Sequence, residues 1–330
     1  MAELECSRLL WANLKAQSVG ECVPARGSGL VHSVFARACN IELQGGTLVS
    51  LLAAGLGATP HGIRLQAQPA PFDTWLRQGE RAILHQAMLR LPDAGVAVDL
   101  SAAARWQGAV AAVCVQDRAT ACRLRALRAV LCERAPRQGV ALALLPGANA
   151  MTSLEQALAS RLSQLLPTLA QATRDRDLVA MAVSAQRLVG LGPGLTPAGD
   201  DFLAGWLAAL WSQAALDSDL LTLLRPFGTA LAPAVRRVHA ISRQMLDEAA
   251  RGCFSQILVE VTLALAGEGD LGQAAAGALA HGHSSGADAL CGLLFGYEPA
   301  SLPCADEWHA ARAVRSPTGS SASFFLSGSH

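Results

Sequence analysis

The sequence has little charge, and the charge it has is balanced. Charged side chains make up only 16% of the 330 residues, and 26 basic residues offset 26 acidic ones. Lys15 is the sole lysine. A protein whose main partner is nucleic acid carries a basic excess, which displaces counterions from the phosphates. The charge balance therefore argues against nucleic acid as a partner, and equally against an anionic membrane surface.

Aromatic residues and long hydrophobic runs are also scarce. Aromatic residues make up 5% of the chain although 52% is hydrophobic, so the core must consist mostly of Ala, Leu and Val. The long apolar stretch at 202–210 is far too short to cross a bilayer. Residues 1–18 carry Glu3, Glu5 and Arg8 without an apolar core, so we expect no signal peptide. We predict a cytoplasmic protein without a membrane partner.

Cysteines do not follow a pairing pattern. There are nine of them, an odd number, and no Cys-x-x-Cys spacing occurs. Several lie inside apolar runs, as Cys114 and Cys132 do. Buried free thiols are typical of a reducing compartment, which agrees with a cytoplasmic location.

The order of the sequence patterns predicts an α+β fold. Short runs rich in Val, Phe and Ile, bounded by Gly and Pro, predict strands at 30–43, 47–52, 62–66, 81–89 and 95–100. Helical periodicity follows at 118–137, 152–165, 167–188, 198–215, 219–250, 252–266, 270–281 and 286–296. We predict a β-rich domain over 1–115, an antiparallel sheet or small barrel, then an α-helical domain over 116–315. The Ser- and Gly-rich segment 316–330 is expected to be a disordered tail.

A glycine-rich turn at 190–201, GLGPGLTPAGDD, is the strongest local signal. Its glycines permit positive φ angles and allow a ligand to approach the backbone closely. Thr196 is suited to the N-cap of the following helix, and Pro197 to its first turn. Free amides at a helix start bind phosphate or carboxylate. A well-capped helix without any ligand would show part of this pattern, but it rarely needs so many special residues.

Two carboxylates in the same turn complicate an anion site. Asp200 or Asp201 could recruit Mg²⁺, which would bridge to a phosphate. Alternatively, one Asp holds the loop by hydrogen bonds, or one binds the amide or ammonium group of a ligand that also carries an anion. Successive helical residues point about 100° apart, so we expect one structural and one functional Asp.

A second loop, AHGHSSGADALCG at 280–292, has a related pattern. Ser285 and Asp288 form a variant of the capping box. Each loop ends in Asp-x-Leu-x-Gly, beginning at Asp201 and at Asp288, which predicts a close helix approach at both glycines. We expect the two helix starts to converge on one pocket. His283 would then be available for proton transfer, or it would simply hydrogen-bond a loop carbonyl.

Three basic residues are spaced for a third feature. Arg236, His239 and Arg243 lie at i, i+3 and i+7 on one face of the helix predicted over 219–250, and they could neutralise a phosphate or carboxylate. A solvated helix face explains the same spacing.

At the two loops the chain resembles the family of the oxamate carbamoyltransferase subunit AllH. Residues 192–201, GPGLTPAGDD, look like that family's Gly-x-Gly-Leu-Thr-Pro-Ser-Gly-Asp-Asp signature, with Ala198 in place of Ser. Residues 282–286, GHSSG, are similar to its Gly-His-Thr-Ser-Gly segment, with Ser284 in place of Thr. Ser242 and Leu246 look like the helix between them. The resemblance covers most of 28–296.

The resemblance implies a transferase subunit of a multi-protein enzyme in purine and allantoin breakdown. The implied reaction converts oxalurate and phosphate to oxamate and carbamoyl phosphate, so the ligand would be a small anion bearing an amide. A non-catalytic ligand-binding or scaffold subunit is the alternative. No cofactor is firmly indicated, apart from the Mg²⁺ considered above.

The candidate site residues follow from the two loops and the resemblance. The predicted catalytic residues are Asp200, Asp201 and His283. The residues predicted to bind substrate or phosphate are Gly192, Gly194, Leu195, Thr196, Gly199, Ser284, Ser285, Gly286 and Asp288. A further group on the intervening helix comprises His239, Ser242 and Arg243.

Overall fold

A computed structural model of the chain describes residues 12–67, 70–145 and 152–298. The segment 316–330, predicted to be a disordered tail, lies outside these residues. The N-terminal part is built from strands. They are β1 (Ala12–Gly20), β2 (Gly27–Val34), β3 (Ala38–Leu43), β4 (Leu48–Leu52), β5 (Gly62–Leu65), β6 (Arg81–His85), β7 (Met88–Leu91), β8 (Val96–Asp99) and β9 (Ala104–Trp106), with the short helix α1 (Phe72–Trp75) after β5.

The strands close into a barrel, as one of the two sequence-based alternatives predicted. The order is β5-β4-β3-β2-β6-β7-β8-β1, and β1 also pairs with β5 to complete an eight-stranded ring within the described residues. The ninth strand, β9, continues alongside the end of β1. The pairs β1–β8, β1–β9 and β4–β5 are parallel, whereas the others are antiparallel. Aliphatic side chains such as Ile41, Ile63 and Val98 fill the interior.

Two of the predicted strands are each a hairpin. The run 81–89 turns at Gln86 and Ala87, whose φ angles are 50° and 56°. These positive angles form the tight turn between β6 and β7 without the Gly or Asn that normally signals one. The run 30–43 likewise divides into β2 and β3. No strand was predicted from the sequence over the residues of β1.

The C-terminal part is helical, which completes the predicted α+β fold. Its helices are α2 (Arg118–Arg134), α3 (Ala141–Leu144), α4 (Ser153–Asp175), α5 (Leu178–Gln186), α6 (Ala198–Ala214), α7 (Ser218–Leu224), α8 (Phe227–Val235), α9 (Ala240–Ala249), α10 (Gln256–Ala266), α11 (Leu271–Leu279) and α12 (Ser285–Tyr297). None of the helices in the described ranges combines the length and the hydrophobicity that spanning a bilayer requires.

Proline predicted the helix boundaries poorly. The predicted helix 219–250 is in fact α7, α8 and α9, with Pro226 at the N-cap of α8. Pro167, by contrast, lies inside α4, which continues to Asp175. Pro167 and its neighbours Leu165, Leu166 and Leu169 are buried in the helical core, and this packing outweighs the roughly 3 kcal/mol that an interior proline costs.

Helices α6 and α12 form the centre of the helical part and touch through reciprocal glycines. A Cβ on Gly205 would lie 1.8 Å from the carbonyl oxygen of Ala289 in α12. A Cβ on Gly292 would lie 1.9 Å from the carbonyl oxygen of Phe202 in α6. Each glycine lies four residues after the Asp of its Asp-x-Leu-x-Gly motif, so the backbones meet one turn beyond Asp201 and Asp288.

We predict that Gly205→Ala strongly destabilises the protein. The added methyl group has no room beside Ala289, so α6 and α12 must separate and lose packing, at a cost of about 2–4 kcal/mol. Urea denaturation of the purified chain measures the change. Gly277→Ala in α11 is the matched control, because no atom lies within 4 Å of its added Cβ. That variant should gain about 0.5–1 kcal/mol. Equal stability of the two variants would contradict the packing argument.

Candidate functional site

A cavity of about 190 Å³ lies between the barrel and the helices. The loop before β5 contributes Thr59, Pro60 and His61, and the helical part contributes residues from the two glycine loops and from α9. The loop that carries His61 is anchored to α10, since Gln256 Oε1 accepts from the amide of Ala58 at 2.8 Å. The cavity therefore depends on both parts of the fold.

Asp200 holds the first glycine loop. Its side chain is completely buried. Oδ1 accepts a hydrogen bond from the amide of Gly190 at 2.7 Å, and Oδ2 accepts one from the hydroxyl of Ser242 in α9. Burial raises the pKa of this carboxyl, and these two donors counteract the rise. Asp200 and Ser242 thus tie the loop to α9, and neither lines the cavity.

Asp201 lines the cavity instead. Only 5% of the residue is exposed, and its Oδ2 atom is buried without a hydrogen-bond partner among the described residues. Burial raises the pKa of Asp201 to about 7, although the hydroxyls of Ser285 and Thr196 favour the ionised form. Near neutral pH this carboxyl can consequently donate or accept a hydrogen bond.

Thr196 does not cap α6, so that prediction was wrong. Pro197 occupies the N-cap position, and no side chain caps the helix. The hydroxyl of Thr196 lies 3.1 Å from the hydroxyl of Ser285, in the second loop. Both residues line the cavity beside Asp201. The two loops therefore meet there, as the paired motifs led us to expect.

Free amides lie mainly in the glycine loop, because several amides in the first turn of α6 already have acceptors. The amide of Gly199 donates to Leu191 at 2.8 Å, and the amide of Asp200 donates to Pro197 at 2.8 Å. The loop amides, in contrast, donate to no acceptor in the described chain; they belong to Gly192, Gly194, Leu195 and Thr196. Gly192 and Gly194 have φ angles of 116° and 103°, a region of backbone conformation that favours glycine.

Asp288, at the start of α12, lies outside the cavity wall. It is 1% exposed, and its Oδ1 accepts from the amide of Val140 at 2.7 Å. Burial raises its pKa to about 8, and the charge of Asp201 adds to the rise. A Cβ on Gly139 would lie 2.3 Å from Oδ1, so the chain passes directly over this carboxyl. Asp288 therefore fixes the 139–145 segment to α12.

The remaining residues of the second loop have different surroundings. Ser284 is the N-cap residue of α12, without a capping hydrogen bond from its side chain. Gly286 lies against α11, where a Cβ would be 1.7 Å from the carbonyl oxygen of Ala278. His283 is exposed and does not line the cavity, whereas His281 does. Proton transfer by His283 stays a prediction, and this geometry does not favour it.

The basic residues predicted to share one helix face do not share a helix. Arg236 caps the C-terminus of α8, whereas Arg243 belongs to α9. His239 is the N-cap residue of α9, and its ring packs edge-on against His32 of the barrel with 5.7 Å between centroids. None of these three residues lines the cavity. An anion strip along one helix was thus a wrong interpretation, because the chain turns between α8 and α9.

Sequence reasoning missed a hydrogen-bonded pair in the cavity. His61 Nδ1 lies 2.7 Å from Glu248 Oε2, and Glu248 is 2% exposed. The two residues are 187 positions apart, so no local spacing could reveal them. The available signal was weak: a histidine in a Thr-Pro-His-Gly turn, and a Glu in α9 that directly follows Asp247.

Comparison with known families agrees with this architecture. A family described as the oxamate carbamoyltransferase subunit AllH matches residues 188–297, and the AllH family N-terminal domain matches residues 4–105. The chain belongs to the AllH family. The first match contains both glycine loops, and the second covers the barrel strands. The protein is accordingly a carbamoyltransferase-related subunit of an enzyme that has other subunits. No solved structure matches the chain.

The AllH cavity offers few ligands for a metal ion. Among the described residues, no group of three or more His, Cys, Asp or Glu side chains is placed to hold one. Asp200 already accepts hydrogen bonds from Gly190 and Ser242, so Asp201 is the member of this Asp pair that lines the cavity. The other carboxylate in the wall, Glu248, bonds His61. Mg²⁺ at Asp200 or Asp201 stays a prediction. The described cysteines are free thiols.

The two buried carboxyls make stability depend on pH. Folding raises the pKa of Asp201 to about 7 and that of Asp288 to about 8, from an ordinary value of 3.8. Between about pH 4 and pH 8, these two carboxyls therefore bind more protons in the folded state than in the unfolded state. Their contribution to the free energy of unfolding falls as the pH rises through this range. Asp201→Asn or Asp288→Asn removes one of these contributions. Relative to wild type, each variant should gain about 2 kcal/mol or more between pH 5 and pH 8.

Urea denaturation at the two pH values measures this gain. Asp219→Asn is the matched control, because Asp219 also lies in the first turn of a helix but is exposed. It should follow the wild-type curve at both pH values. The account of these carboxyls fails if Asp201→Asn and Asp288→Asn also run parallel to wild type.

Proposed function

We propose that this chain is the subunit that binds the small anionic, amide-bearing ligand of a carbamoyl transfer. The reaction is the conversion of oxalurate and phosphate to oxamate and carbamoyl phosphate. Family membership supports the reaction class. The observation that carries the assignment to this cavity is the unpartnered carboxyl oxygen of Asp201, buried beside the hydroxyls of Thr196 and Ser285.

The groups around the cavity suit both ends of such a ligand. At the cavity wall, the amide and hydroxyl of Thr196 and the hydroxyl of Ser285 are donors for a carboxylate or phosphate. Asp201 is the complementary group for an amide, because its ionised form accepts from an NH₂ group and its protonated form donates to a carbonyl. A buried oxygen without a partner is costly, and a ligand amide would remove that cost.

The size and walls of the cavity favour a metabolite. Its volume of about 190 Å³ is below the range of roughly 300–1,000 Å³ that is typical of sites for drug-sized ligands. Ile241, Met245 and Leu258 provide apolar walls. These side chains exclude water and so strengthen the hydrogen bonds made by the few polar groups.

The proposed function includes a pathway, a compartment and partner subunits. We place the reaction in cytoplasmic purine and allantoin breakdown, in a complex with other subunits and without a nucleic-acid or membrane partner. The balanced charge, with 26 basic and 26 acidic residues, and the free thiols support this setting.

A non-catalytic scaffold is the second candidate. Asp200 accepts a hydrogen bond from the amide of Gly190, and Asp288 accepts one from the amide of Val140; both bonds have a structural role. A subunit whose loops served only to pack α6 against α12 would need no more than this. Asp288 also has an unpartnered oxygen, but Asp201 is the residue that lines the cavity beside Thr196 and Ser285. A scaffold gives that position no role, which is why we favour the ligand-binding function.

We predict that the isolated chain binds oxamate and that three variants weaken the binding. Thr196→Val, Ser285→Ala and Asp201→Asn each remove one polar contact, which corresponds to roughly tenfold weaker affinity. Isothermal titration calorimetry measures the dissociation constants. Thr222→Val is the matched control, since Thr222 is exposed on α7 and should leave the affinity unchanged.

The complete complex separates the two candidates. Carbamoyl phosphate formation from oxalurate and phosphate is measured with and without the partner subunits, for wild type and for Asp201→Asn. A catalytic site predicts a large loss of rate in the variant. A variant that supports full activity, together with wild-type binding in all three cavity variants, would leave the scaffold as the function.

A further inference from the structure

A chain of hydrogen bonds leads from the barrel through α9 to His61. The amide of Leu48 donates to Gln244 Oε1 at 3.4 Å, and Gln244 Nε2 donates to Glu248 Oε1 at 2.8 Å. The other oxygen of Glu248 lies 2.7 Å from His61 Nδ1. Both oxygens of this carboxylate therefore have partners, and each partner fixes the orientation of the next.

This arrangement fixes the proton on the imidazole. A carboxylate accepts and does not donate, so a neutral His61 carries its proton on Nδ1 and has its lone pair on Nε2. No described residue hydrogen-bonds to Nε2. The side chain of His61 is 13% exposed, and His61 lines the same cavity as Asp201, Thr196 and Ser285. The basic nitrogen is thus left for whatever occupies that cavity.

We propose that His61 is the proton-transfer residue of the cavity, with Glu248 and Gln244 as its positioning residues. The inference rests on the proposed function, since it needs a reacting ligand between His61 and Asp201. The barrel then supplies the base, and the helical part supplies the carboxylate that orients it. This division explains why a barrel and a helical domain occur together in one subunit.

The proton balance of the reaction needs one such group. A phosphate oxygen attacks the carbamoyl carbon of oxalurate, a new C–O bond forms, and the C–N bond to the oxamate nitrogen breaks. His61 Nε2 takes the proton of the attacking phosphate hydroxyl and delivers it to the departing nitrogen. Oxamate and carbamoyl phosphate leave, and His61 is neutral again. The carboxylate of Glu248 stabilises the imidazolium that exists between the two steps.

The other histidines of this region are less suited to the role. His281 lines the cavity, but no carboxylate among the described residues orients it. Desolvation of its imidazole lowers its pKa. His283 is exposed and is absent from the cavity wall. Only His61 among these three combines a place in the wall with a hydrogen bond to a buried carboxylate.

The first test separates proton transfer from binding. In the reconstituted complex, His61→Asn should lower kcat by about 10²–10⁴-fold, which is the usual contribution of a general acid–base group. Oxamate affinity of the same chain should stay within about threefold of wild type. His85→Asn is the matched control, because His85 is exposed at the end of β6 and should leave both values unchanged.

The second test addresses positioning. Glu248→Gln keeps the size of the side chain but removes the charge that favours the imidazolium, so the acidic limb of the kcat–pH profile should move to lower pH. A residue with only a structural role would reduce activity without moving that limb. Glu260→Gln on α10 is the control and should keep the wild-type profile, since Glu260 is exposed and bonds only Gln256.

A third measurement is independent of the variants. Nitrogen-15 NMR of the wild-type chain should show neutral His61 protonated at Nδ1, and the opposite tautomer would overturn the inference. A His61→Asn complex with at least a third of the wild-type kcat would overturn it as well, while leaving the proposed function intact. A wild-type complex that makes no carbamoyl phosphate would instead remove the proposed function, and this inference with it.

Discussion

The close contact between α6 and α12 is the constraint on which the rest of the site depends. Gly205 and Gly292 let each helix press its backbone against the other, and any side chain at either position would separate them. Because each glycine follows its Asp by one turn, the contact also fixes where Asp201 and Asp288 lie. The helices are buried among apolar side chains, so both carboxyls are taken out of water. The raised pKa values of these groups are therefore a consequence of helix packing.

Asp201 and Asp288, at the starts of α6 and α12, have different surroundings. Each has one buried oxygen without a hydrogen-bond partner among the described residues. Asp288 accepts from Val140 with its other oxygen and lies outside the cavity wall, whereas Asp201 lines the cavity. A buried polar atom without a partner costs stability, and such costs concentrate at sites that bind ligands. The protein tolerates the Asp201 oxygen beside two hydroxyls that can serve the same ligand. The barrel closes the other side by presenting His61, itself held by Glu248.

The sequence was most informative where structure is determined locally. The change from period-two patterns to helical periodicity predicted the α+β order, and the repeated Asp-x-Leu-x-Gly motif predicted the contact of two helices. The argument that adjacent helical residues point apart predicted different surroundings for Asp200 and Asp201, although it did not say which of the two would line the cavity. Local signals failed where packing decides: Pro167 stays inside α4, and Pro197 replaces Thr196 as the N-cap. The pair of His61 and Glu248 was beyond reach, because it forms only when the barrel docks on α9.

The central claim is that one small ligand lies between the glycine loops and the barrel histidine. A crystal structure of the chain with oxamate and phosphate at saturating concentration tests it most directly. The account predicts ligand density inside the cavity, with an anionic group beside Thr196 and Ser285, an amide at Asp201, and His61 Nε2 within hydrogen-bond distance. An empty cavity, or ligand bound only elsewhere on the chain, would contradict it.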